Sequence, residues 1–363
     1  MQFYGENGEG MKLAQIAWIA FFWMGVVWSE VNVSDASKMN FLAEPQKLTL
    51  PYGLPEIPWP KDNPYHAKKA ELGRLLYFDT RLSSDGTVSC ASCHAPSEGF
   101  SDRRPVSIGI KGRYGSRHSM TIINSAYQPL LFWDGRAKTL EEQSKGPIAN
   151  PKEMTLADNP HEAHWQCQER VKNIAGYRLL FKKVFNNEEC TIDDIAKALS
   201  TFERTLLSGN SPYDRYIKGD KSAMSTEQVN GYQVFLSKGC IDCHHGVNFS
   251  SGDFANIGIG MASSKPDLGR YEITKKDKDW GAFKVPILRE IVSNHPYMHD
   301  GSLKTLEEVI EYYDKGGTPN PNLHPLMKPL QLKEEEKKAL LSFLKALDGE
   351  GWQHIQAPST FPQ

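Results

Sequence analysis

The sequence predicts a mostly α-helical fold made of two related halves joined by extensive loops. Three observations carry that expectation. Segments such as "TIDDIAKALSTFERTLL" and "LKEEEKKALLSFLKALDG" repeat apolar residues at helical spacing. No run of alternating apolar and polar residues reads convincingly as a strand, and stretches rich in Gly and Pro separate the helical segments. Finally, "DGRAKTLEE" at 134–142 recurs as "DGSLKTLEE" at 300–308. Thr139 with Glu142, and Thr305 with Glu308, match the Thr-x-x-Glu box that opens a helix.

The N-terminal segment stands apart from this pattern. Lys12 precedes an uncharged, largely apolar run of sixteen residues, Leu13 to Trp28. That is short of the ~20 residues needed to cross a bilayer comfortably and suits the core of a signal peptide. No good small-x-small cleavage site follows, so residues 1–35 are expected to be either a signal peptide or an uncleaved N-terminal membrane anchor. A buried helix would normally show a polar face, which this run lacks. Met11, directly before the lysine, reads better as the start than Met1. Either preferred reading sends the chain across the cytoplasmic membrane, to the periplasm.

Over the whole chain the composition is that of a soluble globular protein, 39% hydrophobic and 24% charged, and 363 residues allow two domains with buried cores. A formal net charge of −2 without a long basic run argues against a nucleic-acid partner.

Four of the six cysteines lie in "CASCH" (Cys90, Cys93, His94) and "CIDCH" (Cys240, Cys243, His244). A thioredoxin-type redox pair needs neither the histidine nor a second copy, and structural zinc would want a fourth ligand close by. Covalent haem explains the spacing directly: two thioether bonds fix the macrocycle, and the adjacent histidine reaches the iron. Two haem c groups are therefore expected, which makes the halves two cytochrome-c-like haem domains, at 60–215 and 216–350. The remaining Cys167 and Cys190 fall in a polar helical stretch of an exported chain, where a mutual disulfide is expected and two free thiols are the alternative.

The repeated helices differ at one informative place. Eight residues past the capping threonine, the second copy has Tyr313 and the first has Pro147. If that position faces the iron, a phenolate can supply the sixth ligand in the second half, whereas proline offers no donor. The first haem would then be held by His94 alone and open to a small ligand, while the second would be closed by His244 and Tyr313. Spacing alone does not separate Tyr313 from its neighbour Tyr312, nor from a tyrosine that merely packs.

From about Lys68 to Gly349 the chain resembles the bacterial di-haem cytochrome c peroxidases and the related MauG enzymes. The resemblance rests on "CASCH", "FWDGRAKTLEEQ", "GPIANPKEM", "CIDCH", "FKVPILRE" and "PYMHDGSLKTLEE", in that order. It implies an axial ligand fourteen residues beyond His299, a methionine in the peroxidases and a tyrosine in the MauG branch; here that residue is Tyr313. It also implies an open first haem, because the capping loop histidine of many peroxidases maps to Ile110. Gln143 and Glu153 map to the distal pocket, and Trp133 to the tryptophan between the haems. A calcium ion between the haems is the family's further cofactor. Its asparagine ligand is replaced by His118 in "RHSMT", with Asn294 and Pro296 supplying carbonyls. An imidazole suits a hard cation poorly, and a His118 side chain turned toward the first haem is the alternative.

The resemblance thus implies an enzyme that takes hydrogen peroxide at the first haem, with Glu153 moving a proton and Gln143 orienting the peroxide. In the MauG branch a high-valent di-haem species then oxidises Trp or Tyr side chains of a partner protein. The alternatives are a peroxidase that reduces peroxide with electrons from a small cytochrome or cupredoxin, and a non-enzymatic di-haem electron carrier.

Overall fold

Two helix crossings, built alike in different parts of the chain, organise the molecule. The computed structural model describes residues 48–363. Its main helices are α1 (Ala67–Phe78), α2 (Leu140–Ile148), α3 (Pro160–Lys172), α4 (Ala175–Phe185), α5 (Ile192–Glu203), α6 (Pro212–Ile217), α7 (Thr226–Ser237), α8 (Tyr271–Thr274), α9 (Leu306–Asp314) and α10 (Glu334–Lys345). A two-residue antiparallel pairing of β1 (Phe254–Ala255) with β2 (Phe283–Lys284) is the one named sheet among the described residues, so the mostly α expectation holds.

α1 crosses α5, and α7 crosses α10, each at a glycine. A Cβ added at Gly73 would lie 1.9 Å from the Ala198 carbonyl oxygen, and one added at Gly231 would lie 1.9 Å from that of Ala339. Backbones this close leave no room for a side chain. A phenylalanine packs beside each glycine, Phe202 in the first crossing and Phe343 in the second. Around Phe202 gather Tyr77 and Phe78; around Phe343 gather Tyr213, Tyr232, Phe235 and Phe249. Each crossing sits in its own apolar core.

The two repeated segments adopt one conformation. Leu131 pairs with Ala137 and Tyr297 with Leu303 in isolated bridges, and the left-handed residues fall at matching places: Phe132 and Met298, Gly135 and Gly301. The helices that follow are capped as expected, with Thr139 Oγ1 accepting from Glu142 N (3.0 Å) and Thr305 Oγ1 from Glu308 N (3.2 Å). The glutamates reach one residue beyond the cap, to Lys138 N and Lys304 N.

Three features depart from the sequence reading or extend it. Cys167 and Cys190 are both free thiols, so the expected disulfide is not formed. They are buried in the first core among apolar side chains, an environment that stores a thiol without needing a partner and pushes Cys190 up to about 12. The sequence boundary at 215/216 falls inside α6, whose Tyr213 packs on the second core. After α10 the chain returns to the first core, where Trp352, Ile355 and Phe361 dock and Gly176 N donates to Gln363 O (2.7 Å). The proposed signal peptide or anchor at 1–35 lies outside the described residues. Within them, no helix is long and apolar enough to cross a membrane.

Candidate functional site

Each Cys-x-x-Cys-His segment forms a single 3₁₀ turn, Cys90–Ser92 or Cys240–Asp242, that sets its two cysteines and histidine along the wall of a cavity. In both, the histidine Nδ1 faces a backbone carbonyl: His94 that of Phe100 at 3.3 Å, His244 that of Phe249 at 2.9 Å. With Nδ1–H donating there, Nε2 keeps its lone pair for a metal. Burial lowers the pKa of both rings and holds them neutral, as a ligand must be. Tyr77 Oη further pins the His94 carbonyl at 2.6 Å.

The first cavity also receives Pro147 and Gln143 from α2, one turn apart and therefore on one face. Glu153 enters from the turn after α2. Asn150 Nδ2 donates to its Oε1 (2.5 Å), which leaves Oε2 free, and its backbone carbonyl accepts from Ile110 N (2.9 Å). Burial pushes the Glu153 carboxyl up, with Arg136 and Asn150 pulling the other way. Ile110, the position matched to a capping histidine, is fully buried. The histidines on this wall are His94 and His118, and the His118 ring is engaged with Arg104 O (3.0 Å) and Ser101 Oγ (3.4 Å).

The second cavity receives Tyr313 from α9 at the turn that carries Pro147 in α2. The structure separates the two tyrosines that spacing left tied. Tyr312 Oη donates to Ile257 O (2.8 Å) and accepts from Thr318 N (3.0 Å), a tie between loop and helix. Tyr313 lies beside Cys240 and Cys243, its phenol pushed up by burial, and it makes no hydrogen bond to a described residue.

Trp133 stands on the wall of both cavities. Its Nε1 donates to His118 O (2.8 Å), its carbonyl accepts from Lys284 N (2.8 Å), and its ring meets that of His299 edge-on. The candidate calcium ligands His118, Asn294 and Pro296 do come together on the second cavity. Asn294 Oδ1 is a buried oxygen with no partner, yet the imidazole faces the Asn294 backbone and brings nitrogen rather than oxygen. This donor set does not fit calcium.

Sequence reasoning missed two buried groups. Glu203, at the end of α5, lines the first cavity with Oε2 unpartnered and its carboxyl raised to about 8 by burial. Lys284, on β2, lines both cavities. Nothing in "FERT" or "FKVP" marks either as buried, since acids and lysines are ordinarily exposed.

The donor sets fit covalent haem. Each cavity offers two thiols and one neutral imidazole at attachment spacing, and encloses, open mouth included, about 1790 Å³ beside "CIDCH" and about 1480 Å³ beside "CASCH". A helical fold with two such segments, joined through one tryptophan, defines a di-haem redox protein of the cytochrome c type.

Comparison with known proteins agrees. Residues 67–222 match the family model described as di-haem cytochrome c peroxidase, and residues 228–348 match cytochrome c. The chain is 38% identical over 289 residues to a cytochrome c551 peroxidase of Nitrosomonas europaea, covering 79% of this chain and 82% of that one. It is 37% identical over 334 residues to the methylamine utilization protein MauG of Methylorubrum extorquens, covering 91% and 90%. A solved MauG-like protein associated with microbial copper homeostasis superposes with a TM-score of 0.76 at 32% identity, over 85% of this chain and 97% of that one. The chain belongs to the di-haem cytochrome c peroxidase and MauG family. It is a haem-dependent oxidoreductase, and haem c is the cofactor its families imply.

Proposed function

We propose that this protein uses hydrogen peroxide to oxidise Trp or Tyr side chains of a partner protein, in the manner of the MauG branch, and that it works in the periplasm after export. One observation carries the reading: α2 and α9 are matched in length and cap, yet α2 turns Pro147 into its cavity while α9 turns the unpaired Tyr313 hydroxyl into the other.

When bound, haem c supplies the iron that activates peroxide and the capacity to hold its two oxidising equivalents. Pro147 offers no donor at its turn of the first cavity wall, so a small molecule has access there beside Gln143 and Glu153. Glu153 Oε2 is free to take the proton from the inner peroxide oxygen and return it to the outer one, which then leaves as water. The Gln143 amide orients that outer oxygen. In the second cavity Tyr313 would lose its phenolic proton on binding the iron, and its oxygen would then favour the oxidised states, the opposite of a methionine thioether. Trp133, fixed by His118 and Lys284 on the shared wall, lies on the electron path between the cavities. The oxidised side chain belongs to another protein and gives up electrons at the surface without entering either cavity.

The test is peroxide addition to the holoprotein and to Tyr313→Met, followed by absorption spectroscopy and by turnover with a reduced small cytochrome. The expected result is a persistent oxidised spectrum with slow cytochrome turnover in the wild type, and loss of that spectrum in the variant. Rapid cytochrome turnover by the wild type would favour the plain peroxidase reading instead.

A further inference from the structure

Lys284 is a cation without a counter-charge. It is 2% exposed, and its ammonium donates to Gln128 Oε1 and to Leu130 O (2.9 Å), two neutral partners that use two of its three protons. No carboxylate among the described residues forms an ion pair with it. The acid that acts on it, Asp134, is already held by Arg117 (2.6 Å) and Arg136 (2.9 Å). The arginines of the neighbourhood are matched: half-buried Arg117 by Asp134 and Asp267, and buried Arg289 by Asp214. A buried charge left alone costs several kcal/mol, and without an anion beside it burial drags the lysine down to about 7; a carboxylate at the ammonium favours the charged form and reverses that depression.

Its position supplies the missing partner. Lys284 lines both cavities, its backbone N–H bonds the Trp133 carbonyl, and Gln128, which shares the ammonium, also lines both. A haem carries two propionates, and an apolar cavity that takes a dianionic edge needs a cation at that edge.

We propose that Lys284 is the counter-ion of a haem propionate where the two cavities meet. There it positions the haem edge beside Trp133 and holds that haem's reduction potential up. The proposal rests on haem c occupying both cavities and is independent of which side chain is finally oxidised. A fixed positive charge disfavours the ferric state relative to the ferrous one, so its removal lowers the midpoint. A propionate deprived of its partner becomes easier to protonate, so the deficit shrinks on acidification. The other titratable groups around the site are Asp134, Arg117, Arg136, His118 and His299; burial lowers both histidines, which keeps them neutral over most of the range tested.

The experiment is spectroelectrochemical titration of each haem in holoprotein, Lys284→Met and Lys284→Arg, at about pH 8 and about pH 5.5, a span chosen to cross a carboxylate released from its cation. Haem content is checked by pyridine haemochrome. The expected result is a lowered midpoint for at least one haem in Lys284→Met at the higher pH, a smaller deficit at the lower pH, and recovery in Lys284→Arg. Should Lys284→Met fail to load haem, Lys284→Gln, which keeps a donor for Leu130, reads the same shift. Midpoints equal to wild type at both pH values, in a fully loaded neutral variant, would overturn the assignment. A wild type that proved a fast peroxidase would leave the midpoint shift untouched, so the two readings fail separately.

Discussion

The helices α2 and α9 begin with the same threonine cap, run nine residues each, and follow the same sharp turn, yet they equip their cavities oppositely. α2 presents Gln143 and, one turn later, Pro147; α9 presents Val309 and Tyr313 at the corresponding turns. A polar side chain beside a donorless residue makes room for a small reactant, whereas an apolar side chain beside a phenol closes the space and offers one fixed oxygen. The scaffold is therefore shared while the chemistry is divided, and two positions on one helix face make the division.

The largest effect should come from the half that carries the reactive equipment. Glu153→Gln should slow the reaction with peroxide by about 10²- to 10⁴-fold, the usual worth of a positioned acid–base group, measured by stopped-flow absorption. Because burial raises the Glu153 carboxyl and its ionised form is the base, the wild-type rate should fall on acidification, starting above the ordinary ~4.3 of a glutamate. The variant should lose that limb, and a variant with an unchanged pH profile would remove Glu153 from the proton path.

The helix crossings should respond alike, since they are built alike. Gly73→Ala and Gly231→Ala each drive a methyl group into a carbonyl 1.9 Å away, and each should destabilise by about 3 kcal/mol in denaturant unfolding, near the top of the range for overpacking. A neutral result at either site would break the equivalence of the two cores. The smallest effect belongs to the caps: Thr139→Ala and Thr305→Ala should each cost about 1 kcal/mol. A large inequality between them in thermal unfolding would mean the two helices are not held in the same way.

Features written in short spacings were legible in the sequence. The attachment segments, both caps, and the contrast of Pro147 with Tyr313 depend on residues a few positions apart. His94 and His244 line the cavities beside their cysteines, and so do Gln143, Glu153 and Trp133, which the family resemblance rather than any spacing singled out. The choice between Tyr313 and Tyr312 needed the family resemblance, because adjacent positions on a helix lie about 100° apart and spacing does not say which faces inward. The Gly73–Ala198 and Gly231–Ala339 contacts were hidden because they join residues more than a hundred positions apart, and a glycine inside a helical pattern reads as a mild defect. The free state of Cys167 and Cys190 is not legible in the sequence, because an oxidising compartment favours pairing while their separate places in the apolar core are set by the tertiary packing. Lys284 escaped for a related reason: its burial has meaning only once the two cavities on either side of it are seen.

The central claim is that one iron site is open and the other is closed by a phenol. Low-temperature electron paramagnetic resonance of the ferric holoprotein, with Tyr313→Phe alongside, tests it most directly. The account predicts one high-spin signal and one low-spin signal in the wild type, with the low-spin signal altered by the substitution and the high-spin signal unmoved. Two low-spin signals in the wild type, or a low-spin signal indifferent to Tyr313→Phe, would contradict it.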